Sequence, residues 1–437
     1  MNSPRRTTLR ITGDTPRRRG EDRGRQARAD ITRAWQVYEE LFATVAAGNA
    51  RTLDVPALAL RTVKAARAWA PELVAEMEGV AEGAGMPFWT IAALNARTEI
   101  LAEAGAPRTG ECSTLVRVGP RTTGGQCWDW HQELADAWHL QTVAGDAQGF
   151  AGITEYGILA KIGVNEAGVG VLFNILGHAD DAATGVPVHL VARQVLGAAG
   201  SFAEAVGMLT GAPVSASTVV TVVTADRAAS VELAPAGSAV VAPDDRGWLV
   251  RTNHFLAPAL AAGELRGRRE PETYDRHRLL TERVLTHGGG PGTEESDAGT
   301  SDAGTSDAGT SGLETAGLET AGLETAGLET AGLETAGLET AGRDAFGRHP
   351  SGPEPSGLDA SDGAALGPES LVGLLTAHRD DGAEVCCHAP AEGRLGSRWA
   401  TLATVAVDPA ERRLRVHDGG PCSAGPGTWT PLTAPRR

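Results

Sequence analysis

From residue 30 to 47 apolar side chains recur every three or four positions (Ile31, Trp35, Tyr38, Leu41, Phe42, Val45), which predicts an amphipathic helix with Asp30 as its cap. Similar spacing predicts helices over 55–69, 71–82 and 87–104, the last two separated by the glycines of EGAG. The rhythm then changes. Residues 112–118 and a run closing on Trp128, Asp129 and Trp130 flank a Gly/Pro-containing turn and read as a hairpin. After a polar, aromatic stretch, 157–176 predicts a second hairpin around Asn165, Glu166, Ala167 and Gly168. Helical patterns cover 186–199 and 202–210, followed by four short β-branched runs at 218–224, 229–233, 239–242 and 249–253. Helices are again predicted over 271–285 and 369–378. Sheet-forming runs on both sides of helical pairs predict a layered α+β protein, with antiparallel strands covered by helices.

Residues 288–367 break every periodicity. Three copies of SDAGT (296–310) pass into six of GLETA (312–341). A five-residue period turns a helix by about 500°, so Leu313, Leu318 and Leu323 make no stripe, and a glycine recurs in each repeat. The segment reads as a disordered acidic insertion in a folded domain made of 112–287 and 368–437. It holds 15 acidic and 2 basic residues, so the formal net charge of -16 shrinks to about -3 for the remainder. Nucleic acid is therefore not expected as a partner. The Arg-rich stretch 1–29 reads as a solvated, disordered arm. No apolar run suits an export signal or a membrane span, and a soluble, cytoplasmic protein without membrane contact is expected.

Five cysteines at 112, 127, 386, 387 and 422 do not form a disulfide pattern. Adjacent Cys386 and Cys387 with His388 lack the spacing of a zinc knuckle, so ordinary thiols are expected there, with no metal and no cofactor. Cys112 differs from the rest. It opens a strand, with Asp129 a hairpin's length later. A thiol at the start of a mature chain is activated by its own α-amine, whose pKa near ~8 suits a general base. Cys112 reaches that position only if the Glu111–Cys112 bond is cut, which a cysteine achieves by N-to-S acyl shift and thioester hydrolysis.

CSTL at 112–115, GGQCWDWH at 124–131, KIGVNEAGVGVLFNIL at 161–176, GVPVHLVARQVL at 185–196 and RTNHF at 251–255 together resemble the acyl-coenzyme A:6-aminopenicillanic acid acyltransferase family of self-processing N-terminal-nucleophile hydrolases. The likeness extends from EMEGVAEGAGMPFWTIAALNARTEI at 76–100 to SRWATLATVAVDPAERRLRV at 397–416. It implies a four-layer αββα sandwich with two antiparallel sheets, and a small helical chain, 30–111, that stays associated with the large one after cleavage. Cys112 is then the nucleophile. Asp129 matches the aspartate that tunes the new amine, Thr114 a threonine close to the nucleophile, Asn253 an oxyanion-hole donor and Arg398 an active-site arginine. Glu111 stands where the fungal enzyme has glycine, and Cys127 where the family carries asparagine.

The expected chemistry is attack on an amide or acyl-CoA thioester, with hydrolysis or transfer to an amine from acyl-Cys112. Two other readings remain open at this point. One is a non-catalytic interaction protein that uses the acidic insertion. The other is an unprocessed Cys/His hydrolase using His254, although strand alternation turns His254 away from Asn253 and favours a structural histidine.

Overall fold

The computed structural model describes residues 6–105, 112–265, 272–286 and 367–436. Glu111 and the repeats of the insertion lie outside the described residues. The chain divides into two compact units, 1–289 with 363–437 and 290–362, and all described residues belong to the first. No described helix is long and apolar enough to cross a membrane.

The periodic apolar patterns become helices where the caps allow. α2 (Arg28–Gly48) buries Ile31, Trp35, Tyr38, Leu41 and Phe42. α3 (Val55–Trp69) starts where Asp54 accepts the Ala57 N–H at 3.0 Å and a proline occupies the first turn. α4 (Pro71–Ala84) ends on left-handed Gly85. The single helix expected over 87–104 is two, α5 (Phe88–Asn95) and α6 (Arg97–Glu103). The break has a cause: the Asn95 side-chain N–H donates to the Gly157 carbonyl and its side-chain oxygen accepts from the Leu159 N–H, anchoring the helix end to the sheet.

The arm requires correction. Thr8–Ile11 is a strand, β1, and Pro16–Gln26 is a helix, α1. α1 crosses α4 at very short range through Gly20 and Gly24 on one side and Gly79 and Gly83 on the other. A Cβ at any of the four would collide with the opposing backbone. Two arginines of α1 are buried against partners remote in sequence. Arg19 donates to the Gly145 carbonyl at 2.7 Å, and Arg23 reaches Gln141 and Glu76. Arg193 completes this group by pairing with Glu76 and Asp146, each at 2.6 Å.

The first sheet has the order β1-β4-β5-β6-β7-β8-β9-β10, with β4 (Trp138–Val143), β5 (Phe150–Glu155), β6 (Ile162–Asn165), β7 (Gly170–Ile175), β8 (Thr218–Val223), β9 (Ala228–Ala234) and β10 (Gly237–Val241). It is antiparallel except where β1 runs parallel to β4. The stretch read only as polar and aromatic supplies β4 and β5. The second sheet, β11-β2-β3-β12-β13-β14, is antiparallel throughout. Its strands are β11 (Trp248–Arg251), β2 (Ser113–Arg117), β3 (Thr123–His131), β12 (Trp399–Asp408), β13 (Arg413–Asp418) and β14 (Trp429–Thr433).

The sheets meet face to face, with Gln126 of β3 hydrogen-bonding both the N–H and the carbonyl of Phe173 on β7. Helices α7 (Val188–Ala198) and α8 (Phe202–Thr210) cover the first sheet, and α9 (Pro258–Ala261) follows β11. α10 (Glu272–Thr286) and α11 (Pro368–Gly373) cover the second, where Leu280, Val284 and Leu371 cluster with Leu115, Cys127 and Trp248. Helix, sheet, sheet, helix is the four-layer order expected.

Candidate active site

Cys112 stands immediately before β2 and is buried. Its strand lies between β11 and β3, and the β2–β3 register, Ser113 opposite Cys127, brings the start of β2 beside Trp128 and Asp129. The thiol Sγ is 3.9 Å from the Asp129 main-chain oxygen. Both residues line a small cavity together with Arg97, Trp128, Trp130, Lys161, Phe173 and Ile175. Asp129 is itself fully buried, and its carboxylate is close enough to Cys127 and Cys386 to help burial push those thiols up.

The Cys112 carbonyl is fixed by two residues that sequence reading passed over. Asn174 on β7 donates to it at 2.9 Å and accepts from the Thr114 hydroxyl at 2.8 Å. Arg276 of α10 approaches the same carbonyl at 3.4 Å, donates to the Ser113 hydroxyl at 2.9 Å, and holds the Asn253 side-chain oxygen at 3.1 Å. Asn174 and Arg276 thus link Cys112, Thr114 and Asn253 through hydrogen bonds. The Asn253 amide N–H donates to the Ile175 carbonyl at 2.9 Å. That bond uses one of the two hydrogens of the Asn253 side-chain NH2, and an oxyanion role would fall to the other.

Arg398 is not brought to the cavity. Partly exposed beside β12, it donates to the Pro390 carbonyl at 3.1 Å and pairs with Glu133 at 3.4 Å. The cations that reach the cavity are Arg97 from α6 and Lys161 from the turn before β6. His254 hydrogen-bonds Thr252 and Thr273 and packs on Tyr274 and His277, as a structural histidine would.

Lys161 and Arg97 share one anion. Glu155 sits 2.6 Å from the Lys161 Nζ and 2.9 Å from Arg97, and the Tyr38 hydroxyl also donates to it. All four side chains are buried. Burial pushes the Lys161 ammonium down to about 7, with Glu155 opposing, and a thiolate at Cys112 would also favour the charged amine. Burial raises the Glu155 carboxyl, but Arg97 and Lys161 outweigh it and hold the group ionised. Trp128 and Trp130 supply the ring faces over which Lys161 and Arg97 lie, at 4.1 and 4.0 Å. The signal available in sequence was KIGVNEAGVG itself, which places a lysine among apolar residues.

The structure thus sets a buried thiol at the head of a central strand in a four-layer αββα sandwich. Residues 119–287 match the model of the acyl-coenzyme A:6-aminopenicillanic acid acyl-transferase family. The chain is 30% identical over 231 residues to the acyl-coenzyme A:6-aminopenicillanic-acid-acyltransferase 40 kDa form of Emericella nidulans, a match covering 52% of this chain. It spans 63% of that relative's length. The likeness to that family rests on this segment and spans less than two thirds of the relative's length. It is also similar to penicillin V acylase from Agrobacterium tumefaciens, with 13% identity, a TM-score of 0.37, and coverage of 70% of this chain and 83% of that one.

Proposed function

We propose that the protein is a self-processing cysteine N-terminal-nucleophile enzyme that forms an acyl-Cys112 intermediate from an amide or acyl-CoA thioester. The observation that carries this reading is the placing of the Cys112 thiol, beside Asp129, in a cavity lined by Lys161 and Arg97. In maturation the Cys112 Sγ attacks the Glu111 carbonyl, the C–N bond breaks as the nitrogen takes up a proton, and water hydrolyses the thioester. The products are a Glu111 carboxylate, a free thiol and the Cys112 α-amine. In turnover that amine takes the thiol proton, Asp129 holds the amine, and Asn253 stabilises the oxyanion, a contribution typically worth ~3 kcal/mol. Water or an amine then accepts the acyl group. The relative's name supports an acyl-CoA donor. The reading places the protein in the cytoplasm, where thiols such as Cys112 stay reduced.

Denaturing mass spectrometry tests the first step. Wild-type protein should resolve into 1–111 and 112–437, which co-purify under native conditions, and Cys112→Ala should remain one chain. Cleavage at that bond in Cys112→Ala would assign the cut to another protease and remove the self-processing reading.

A further inference from the structure

Away from the Cys112 cavity, the 378–388 loop between α11 and β12 meets the 420–422 turn between β13 and β14. They bring together His378, Cys386, His388 and Cys422, whose sulfur and ring-nitrogen atoms all lie within 4.8 Å of one another. Cys386 Sγ is 3.5 Å from Cys422 Sγ and 3.6 Å from His388 Nε2. His388 Nε2 is 3.4 Å from Cys422 Sγ and 3.2 Å from His378 Nε2. A tetrahedral zinc ion with bonds of ~2.3 Å to sulfur and ~2.0–2.1 Å to nitrogen has ligand-to-ligand edges of roughly 3.3–3.8 Å. Four of the six edges match to about 0.3 Å or better, and the remaining two, from His378 to the cysteines, lie within 4.8 Å, so His378 closes in as the ion binds.

We propose that His378, Cys386, His388 and Cys422 form a structural zinc site. Hydrogen bonding alone does not account for the cluster. His388 Nε2 faces two thiols and a second imidazole nitrogen, yet one ring nitrogen has either one proton or one lone pair to offer. A shared cation satisfies all four atoms. Nor is a disulfide the natural product, because its sulfurs must close to ~2.05 Å and the two imidazole nitrogens would still confront each other.

The surroundings fit an ion. A Cβ on Gly420 would meet the Cys386 sulfur, so this glycine keeps the approach to the ligand clear. Asp381 accepts the His378 main-chain N–H at 2.8 Å and its carboxylate lies 4.0 Å from the His378 ring Nδ1, which supports the ligand from behind. Two thiolates and two imidazoles select zinc over hard cations, and four protein ligands leave no open position for catalysis. On coordination the two thiols release their protons to solvent. The role is to brace β12. Cys387, between two ligands, exchanges hydrogen bonds of 2.9 Å with Thr401 through its N–H and its carbonyl, and Thr401 is the register partner of Asp129.

The test uses the full chain, purified without chelator, dialysed against micromolar zinc, and assayed by elemental mass spectrometry. About one zinc per chain is expected, falling ~10-fold or more in Cys422→Ser and staying near one in Cys387→Ser, whose thiol lies outside the cluster. Cobalt added to the metal-free wild type should give the thiolate charge-transfer and tetrahedral ligand-field bands, a readout that needs no variant to fold. Wild type that retains no zinc and shows no such bands would overturn the proposal, as would equal loss of metal in Cys387→Ser. A native mass lower by two hydrogens, mapped to a Cys386–Cys422 bond in freshly reduced and refolded protein, would overturn it too.

Discussion

Lys161→Met removes the titrating amine from the buried group beside Cys112 and keeps much of the side chain's volume. The lysine is 2% exposed, its Nζ lies 2.6 Å from Glu155, and burial holds it at about 7 in the folded protein. Its unfolded value is near the ordinary ~10.4. Between these values the unfolded chain binds a proton that the folded chain lacks, so stability rises with pH across the window from about 7 to 10. The slope approaches ~1.4 kcal/mol per pH unit, giving about 2 kcal/mol between pH 7.5 and 9. Below pH 7 both states carry the proton and the contribution becomes constant. Urea unfolding of the zinc-replete protein at intervals across that range measures the gain, and Lys161→Met should lose most of it. The variant should stay folded because Arg97 remains at 2.9 Å from Glu155. Equal pH slopes in wild type and variant would refute the reasoning and mean that Lys161 stays fully charged in the folded state.

Gly79→Val forces a branched side chain into the α1–α4 crossing, against the Arg17 carbonyl, and should lower stability by about 2–3 kcal/mol in urea unfolding, whereas an unchanged midpoint would argue against that close packing. Arg398→Ala removes a partly exposed pair with Glu133 and should cost at most about 1 kcal/mol, with self-cleavage followed by mass within ~2-fold of wild type. A block in cleavage would return this arginine to the site.

The helices with a clean apolar stripe were legible, as were the strands flanked by turn residues. α1 was not. PRRRGEDRGRQ has no apolar face, and its packing depends on a glycine pair and on buried arginines whose partners, Gln141, Glu76 and Gly145, lie more than 50 residues away. The same distinction runs through the site. Cys112, Thr114 and Asn253 were readable as motif positions, and the structure joins them. Asn174, Arg276 and Lys161 gain their significance from burial and from contacts between separate elements, which spacing along the chain does not encode. Arg398 was placed by motif alone and lies elsewhere. In the second cluster the neighbouring pair Cys386–Cys387 obscured the relevant pattern, because the ligands are alternate residues, Cys386 and His388, joined by His378 and a cysteine 36 residues further on.

The parallel pairing of β1 with β4 changes what a cut before Cys112 would produce. Thr8 to Ile11 are matched residue for residue with Leu140 to Val143, so a fragment ending at 111 donates an outer strand to a sheet otherwise built by the fragment beginning at 112. The two pieces would form a heterodimer held by strand complementation, with α1 clasped to α4 inside the donor. Separation would leave the β4 edge without its hydrogen-bonding neighbour, an invitation to pair with another molecule. A version trimmed to begin near residue 30 would carry that raw edge from the start, and its failing would be self-association.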